Sequence, residues 1–292
     1  MKTVYPAATR WRYLFICCLL MTLAGVLIGR LVMLQVTDGG QGAAFLREQG
    51  AMRTVRTAEI PVYRGLIEDR HGTPLAISSP VVSLWANPQQ LKDSPRLEEL
   101  SALLGVDGAI LKDKLALYGN KHFMYLARHQ APDFARQILQ EAFPGVRGER
   151  AYRRYYPAGE VTAQVLGLTN VDGEGIAGIE LAFEQWLQGV PGKKRFIKDL
   201  HGEAVRDVGL ITKPRPGKAL SLSLDLRLQY VQHRELQRAM KETGAVAGSA
   251  ITVDAWTGEI LAVSNYPVFN PNNREAFDYS AARNRALTDV YE

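Results

Sequence analysis

Serine chemistry needs a hydroxyl held beside a base, and none of the spacings that supply one occurs in this sequence. There is no Gly-x-Ser-x-Gly, no serine followed three residues later by lysine, no Ser-x-Asn, and no Lys-Thr-Gly or Lys-Ser-Gly. The histidines (His71, His122, His129, His201 and His233) form no His-Glu-x-x-His, and the only two cysteines are adjacent, so metal-ligand spacing is missing as well. Gly173-Glu-Gly175-Ile-Ala-Gly178 does fit the dinucleotide-binding pattern, with Asp199 about 20 residues on. Its context fails, because Thr169 to Asp172 is not a buried strand running into the first glycine and no βαβ unit follows. A glycine-rich turn before a helix is the expected reading, and no cofactor or metal is expected. Glu68, Asp69 and His71 could be drawn as an acid–base cluster. Alternating positions in a turn point opposite ways, however, so a solvated hairpin tip is expected there.

The elements that must position these residues follow from periodicity and punctuation. Thr37 to Gly42 is a polar connector, and Phe45 to Arg56 reads as a short helix or irregular arm. From Val62 to Ala86 apolar runs alternate with turn signals at Glu68 to Gly72 and at Ser78-Ser79-Pro80, which predicts short strands in hairpins. Residues 95 to 117 are helical by period, Phe123 to Ala127 is a strand, and Pro132 to Phe143 is a helix started by proline and stopped at Pro144-Gly145. A second strand-and-turn region, Tyr152 to Pro216, contains one helix at Ile179 to Gln188. Lys213-Pro-Arg-Pro-Gly217 marks the best domain boundary. Beyond it come a strand (Ala219 to Leu224), a helix from Leu226 to about Met240 capped by Asp225, and a hairpin of Ala247 to Val253 with Glu259 to Ser264.

One segment is different in kind. Tyr13 to Gly29 is uncharged, and Leu31 to Val36 extends the apolar run past Arg30. A bilayer core needs roughly 20 helical residues, which the two blocks supply together if Arg30 snorkels to the interface. Trp11 and Tyr13 suit the opposite interface. No Ala-x-Ala-like site follows, so an uncleaved anchor is expected rather than a cleaved signal. Lys2, Arg10 and Arg12 before the helix nearly balance Arg47, Arg53 and Arg56 after it, so charge alone favours an inside N-terminus only modestly. The remaining chain has globular composition, with 47% hydrophobic and 22% charged residues. Its net charge of +5 is spread over clusters beside turns (Arg147 to Arg154, Lys193 to Lys198, Lys213 to Lys218), which suits an anionic membrane neighbour and not nucleic acid. Both cysteines, Cys17 and Cys18, lie in the anchor, so no disulfide staples the rest.

Read in order, the chain resembles the class B penicillin-binding proteins. Arg64-Gly65-Leu-Ile-Glu-Asp69-Arg70-His-Gly72-Thr-Pro-Leu-Ala76 looks like the family's first pedestal motif. Arg154-Tyr-Tyr-Pro157-Ala-Gly159, running on to Gly167, and Gly175-Ile-Ala-Gly178-Ile-Glu180 resemble the next two, which removes the dinucleotide lead. Leu224-Asp225-Leu-Arg-Leu-Gln229 is similar to the start of the penicillin-binding domain, and Asp254 to Ala262 to its first hairpin. Arg283 to Glu292 resembles the segment just before the catalytic Ser-x-x-Lys, and its Arg-Asn-Arg-Ala with Thr288-Asp289 is similar to the cell-division, FtsI-like branch.

The resemblance implies an α+β fold with one transmembrane helix, a β-rich pedestal or dimerisation domain, and the first elements of an α/β transpeptidase domain. It implies residues 1–12 as a cytoplasmic tail, 13–36 as the anchor, 45–216 as the pedestal and 219–292 as an incomplete transpeptidase domain, the bulk lying in the periplasm of a bacterial inner-membrane protein. The implied reaction is serine acyl transfer that cross-links peptidoglycan stem peptides and is trapped by β-lactams. The sequence stops before that serine, so the chain alone is expected to be inactive, either as part of a transpeptidase or as a non-catalytic pedestal that binds division partners. Besides the lipid bilayer, a polytopic glycan-polymerising protein is the implied membrane partner, with small Ala24, Gly25 and Gly29 as a packing face. Arg64 or Arg154 is expected to form a partly buried ion pair with Glu180. Pro157 is expected to fix a turn, while the motif glycines suit positive φ or close backbone approach.

Overall fold

The computed structural model describes residues 7–36, 55–198, 204–273 and 279–290. The connector Thr37 to Gly42, all but the last two residues of the arm expected over Phe45 to Arg56, and Asp199 lie outside the described residues. In chain order the elements begin with α1 (Ala7–Val36), β1 (Val55–Ile60), β2 (Ile67–Glu68) and β3 (Pro74–Ala86). Then come α2 (Pro88–Leu91), α3 (Leu97–Leu104), α4 (Gly108–Leu117), β4 (Met124–Gln130), α5 (Pro132–Gln140) and β5 (Val146–Tyr155). A 3-10 turn (Gly159–Val161) leads to α6 (Ala163–Leu166), α7 (Gly178–Ala182), α8 (Glu184–Leu187), β6 (Gly192–Lys198) and β7 (Ala204–Thr212). Last are β8 (Leu220–Ser221), α9 (Leu226–Thr243), β9 (Gly248–Val253), β10 (Ile260–Tyr266), α10 (Tyr279–Ala282) and α11 (Arg285–Thr288). The fold is α+β with one long apolar helix near the N-terminus, as expected.

Contacts divide the chain into Met1–Ala58 with Lys194–Ile211, and Glu59–Lys193 with Thr212–Glu292. In the first unit α1 runs for 30 residues, about 45 Å at the helical rise. Its apolar stretch Trp11–Val32 is long enough to cross a membrane and buries nothing inside the protein. Large apolar side chains face outward on every side of it. Such a helix is stable only where lipid or another chain replaces water. Strands β1, β6 and β7 form a three-stranded sheet in the order β1-β6-β7.

The second unit is organised by β3. It pairs with β5 antiparallel from Ile77 to Ala86 and with β4 from Val82 to Ala86, and β2 joins it to β8 through a parallel pair. The turn expected at Ser78-Ser79-Pro80 is therefore a correction: those residues lie inside one 13-residue strand. Pro80 is tolerated because the β2 pairing ends at Ala76 and the β4 pairing starts at Val82. Only β5 pairs with β3 at that point, so the missing N–H breaks no central ladder. The basic run Arg147 to Arg154 lies on a strand, β5, between a turn at 144–145 and one at 157–158.

Two expected helices are each split. Gly105 adopts the left-handed conformation and donates to Ala102, and Asp107 then caps α4 by accepting from the Ala109 amide, so residues 95–117 form α3 and α4. The helix expected at Ile179 to Gln188 breaks at Phe183 into α7 and α8. Leu84, Leu91, Leu100, Leu111, Leu115 and Ile138 make one core, from β3, four helices and their surroundings. A second core brings Ile67, Leu75 and Ala76 against Tyr156, Leu166, Leu187 and Leu224, and thereby packs segments that are remote in sequence. In the C-terminal portion, α9 packs on the antiparallel β9–β10 hairpin.

Candidate functional site

Glu180 is the centre of the second core's polar cluster. It is completely buried, and its two carboxylate oxygens are divided between two arginines: Oε2 accepts from Arg64 Nε at 2.5 Å and Oε1 from Arg154 Nε at 2.6 Å. Both expected partners therefore reach the same glutamate. The guanidinium of Arg64 also donates to the Glu180 carbonyl at 2.7 Å and pairs with Glu184 at 2.6 Å. Residues four apart share one helical face, which is why Glu184 reaches the same arginine across the break at Phe183. Burial alone would lower the Arg64 pKa, but hydrogen bonding to Glu184 and the charge of Glu180 outweigh it and hold the group above its ordinary value. Arg154 spends Nη1 on the Gly65 carbonyl at 2.7 Å. Two cations and two anions thus tie the segment before β2, the end of β5, and α7–α8 into one node.

Close backbone crossings surround this node. A Cβ on Gly65 would lie 1.9 Å from the Lys218 carbonyl oxygen. Gly167 and Gly178, both at positive φ, face each other, and a Cβ on Gly167 would fall 2.0 Å from the Ala177 oxygen. Gly175 lies against the Glu180 backbone, while Gly72 and Gly159 occupy turns of positive φ. Pro157 sits at the second position of the turn that Gly159 closes by donating to Tyr156.

A second constellation joins the β2–β3 turn to α9. The tip is solvated at Arg70 and His71, but Asp69 is buried, which corrects the expectation at that residue. Its Oδ1 accepts from the His71 and Thr73 amides and its Oδ2 from the Leu226 amide at 3.2 Å. Burial pushes the Asp69 carboxyl up, but these amide donors prevail and hold it low. Asp225 caps α9 through Arg227 and Leu228, and its Oδ2 meets His71 Nε2 at 3.1 Å. Arg70 reaches Glu259 at 3.4 Å, a pair exposed to water. Gln229 is completely buried; its amide donates to the Val161 and Val263 carbonyls, and its oxygen accepts from the Val263 amide at 2.7 Å. One side chain therefore fastens α9 to β10 and to the 3-10 turn.

The Asp225 carboxyl carries a pH prediction. Burial raises its pKa, but hydrogen bonds from the Arg227 and His71 side chains and from the helix amides bring it down to about 2. The unfolded carboxyl, near 3.8, holds its proton more tightly. Stability from this group is thus complete above about pH 4 and is lost as pH falls through about 2. Asp225→Asn is expected to flatten the decline of melting temperature over that window, with Asp69 supplying the remainder. An acid limb identical to wild type would show that the carboxylate is not coupled to folding.

Several residues that hold this region carry no sequence signal beyond their polarity. Asn272 brackets Tyr156, accepting from its amide at 3.0 Å and donating to its carbonyl at 2.9 Å. Gln164 donates to the Pro267 and Ala281 carbonyls, and buried Asn265 accepts from the Ala286 amide and donates to Asn284. These amides fix α10 and α11 beside β10. Periodicity cannot reveal them, because each partner comes from another segment. No group of three or more potential metal ligands occurs among the described residues. The geometry is that of a braced scaffold, in which buried charges are paired and side-chain amides bridge segments remote in sequence.

Ala24, Gly25 and Gly29 lie on α1, where a Cβ on either glycine would meet nothing within 4 Å.

Residues 59–222 match the penicillin-binding protein dimerisation domain. The chain is 40% identical over 289 residues to the peptidoglycan D,D-transpeptidase FtsI of Escherichia coli K12, covering 97% of this chain and 48% of that protein. It spans about half the length of the curated relatives it matches. Among solved structures it resembles a peptidoglycan synthetase from Bifidobacterium adolescentis, with TM-score 0.53, 22% identity and coverage of 80% of this chain and 47% of that one. It also resembles the Helicobacter pylori complex between penicillin-binding protein PBP2 and MreC, with TM-score 0.57, 21% identity and coverage of 75% and 44%. These structural likenesses speak for the fold. The arginine–glutamate node, the crossings around Gly65 and Gly167, and the Gln229 junction all lie in or beside the matched segment, and the chain belongs to the family of penicillin-binding proteins that carry this dimerisation domain.

Proposed function

We propose that this chain is the membrane-anchored pedestal of a division-specific peptidoglycan D,D-transpeptidase, which cross-links stem peptides at the septum by acyl transfer through a serine and binds penicillin. The observation that carries this reading is the 40% identity to a peptidoglycan D,D-transpeptidase across 97% of the chain. On this reading residues 1–12 are cytoplasmic, 13–36 cross the bacterial inner membrane, 45–216 form the periplasmic pedestal, and 219–292 open the transpeptidase domain. The motif residues Arg64, Arg154 and Glu180 brace the pedestal. Asp69, Asp225 and Gln229 seat the first helix and hairpin of the domain that follows. The sequence holds no Ser-x-x-Lys, so these residues supply support and not the nucleophile.

A fluorescent penicillin tests the reading. A longer protein in which these 292 residues precede a Ser-x-x-Lys segment is expected to be labelled covalently, and the 292 residues alone to stay unlabelled. Label on the 292-residue chain by itself, or a folded serine-bearing protein that takes none, would sink it.

The PBP2 of known fold was solved with MreC, which supports a pedestal that engages other proteins. For α1 the proposed partner is a polytopic glycan-polymerising protein, packed on Ala24, Gly25 and Gly29. Because a Cβ on either glycine would meet nothing within 4 Å among the described residues, leucine at both tests the partner contact. Gly25→Leu with Gly29→Leu is expected to reduce co-purification of the polymerase several-fold. Undiminished recovery would make the helix an ordinary lipid-facing span.

A further inference from the structure

Around α8 the side chains divide by direction. Glu184 and Leu187 turn inward, the first to Arg64 and the second into the core. Phe183 and Trp186 turn outward and are 42% and 47% exposed. Val190, 51% exposed, follows them and exchanges both backbone hydrogen bonds with Arg215, at 2.7 and 2.9 Å. Directly opposed residues of an antiparallel pair share a face, so Val190 and Arg215 lie side by side. The Lys218 ammonium stands 4.4 Å from the centre of the Trp186 ring. Three half-exposed apolar side chains within eight residues exceed the scattered singles of an ordinary surface.

The charge on this face has one sign. Lys193, Lys213, Arg215 and Lys218 are all exposed. Across residues 181–193 and 213–218 the only acid is Glu184, and it is committed to Arg64. Long cationic stems bury their methylenes along apolar surface and keep the charge in water. Aromatic and aliphatic tips among cations suit lipid headgroups, with the apolar groups at the acyl boundary and the cations at the phosphates. An acidic protein would satisfy the charge as well. The bilayer is favoured because, on the reading of α1 as a membrane anchor, the chain is tethered to one, which holds this face at high local concentration over it.

We propose that the face of Phe183, Trp186 and Val190, with the four cations beside it, rests on the anionic phospholipid surface of the membrane that α1 crosses. The proposal rests on the anchor reading of α1 and not on the serine chemistry.

The test follows tryptophan fluorescence in the full chain held in nanodiscs of brominated lipid, since bromine quenches only an indole that reaches the acyl chains. In the parent chain Trp11, on α1, is quenched in either lipid if the helix spans it, which checks the anchor by itself. Trp11→Phe removes that signal. In this background brominated phosphatidylglycerol is expected to quench, and brominated phosphatidylcholine at least about threefold less. Adding Trp186→Phe is expected to abolish the difference, although Trp85 and Trp256 remain. Lys213→Gln with Arg215→Gln changes two exposed side chains, keeps Trp186 in place and is expected to do the same. Thermal melting verifies that each variant is folded, and the double glutamine variant carries the test if Trp186→Phe melts early. Equal quenching in the two lipids, or a difference that survives in the folded variants, overturns the proposal. So does a Trp11→Phe chain that is not quenched at all while the parent chain is, a result that keeps the anchor and gives the face to an acidic protein. An unquenched Trp11 in the parent chain overturns the anchor reading, and this proposal with it.

Discussion

Glu180→Ala is expected to cost about 3–5 kcal/mol of folding stability, because it strips the shared anion from two buried guanidinium groups. The side chains of Arg64 and Arg154 are 7% and 2% exposed, so water cannot replace the lost carboxylate without opening the node. Tyr156 also loses the carboxylate oxygen its hydroxyl faces at 3.4 Å. For a domain of this size the melting temperature should fall on the order of 10 °C. Glu242→Ala, which breaks the exposed Arg238–Glu242 pair, serves as the control and should leave melting nearly unchanged. Scanning calorimetry and limited proteolysis of the two variants measure the contrast. If Glu180→Ala melts and digests like wild type, the node does not hold the pedestal together.

Gly65→Ala should be comparably severe, for a steric reason. The new methyl would sit 1.9 Å from the Lys218 carbonyl oxygen and 2.6 Å from its carbon, both backbone atoms. Neither strand can step aside cheaply. Gly65 donates to Leu187 at 2.8 Å, Gly217 to Tyr63 at 3.0 Å, and Leu220 to Leu66 at 2.8 Å. Separating the crossing breaks several of these bonds at once, so the cost should exceed the usual 1–3 kcal/mol of overpacking and reach roughly 4 kcal/mol. Trp186 reports on the event directly, since its indole N–H donates to Ala219 and Lys218 lies over its ring. Urea unfolding followed by tryptophan fluorescence should show a midpoint shifted well below wild type. A midpoint within error of wild type would mean that the crossing is looser than the structure shows.

Local signals were legible wherever a residue acts on its own neighbours. Asp225 announces α9 because a cap needs only the amides two and three residues on. Gly105 and Asp107 likewise announce the stop of α3 and the start of α4, although the unbroken leucine period conceals the boundary. The hairpin of β9 and β10 follows from alternation around Asp254 to Gly258. Pro80 misleads because proline is a turn signal only where both edges of the strand must be paired, and the sequence does not say which edges are.

The opening absence of a serine–base spacing is a property of the chain's residues alone, and so are the apolar helix and the order of the pedestal motifs. Each depends on residue type and local spacing, which folding cannot alter. Tertiary structure decided what those motifs are for. Asp69 looked like a solvated turn until the Leu226 amide, 157 positions away, closed over it. Arg64 and Arg154 were alternative partners for Glu180 until the fold gave each of them one of its oxygens. A buried charge takes its partner from whatever segment the core brings within hydrogen-bond reach, and the linear sequence carries no record of that distance.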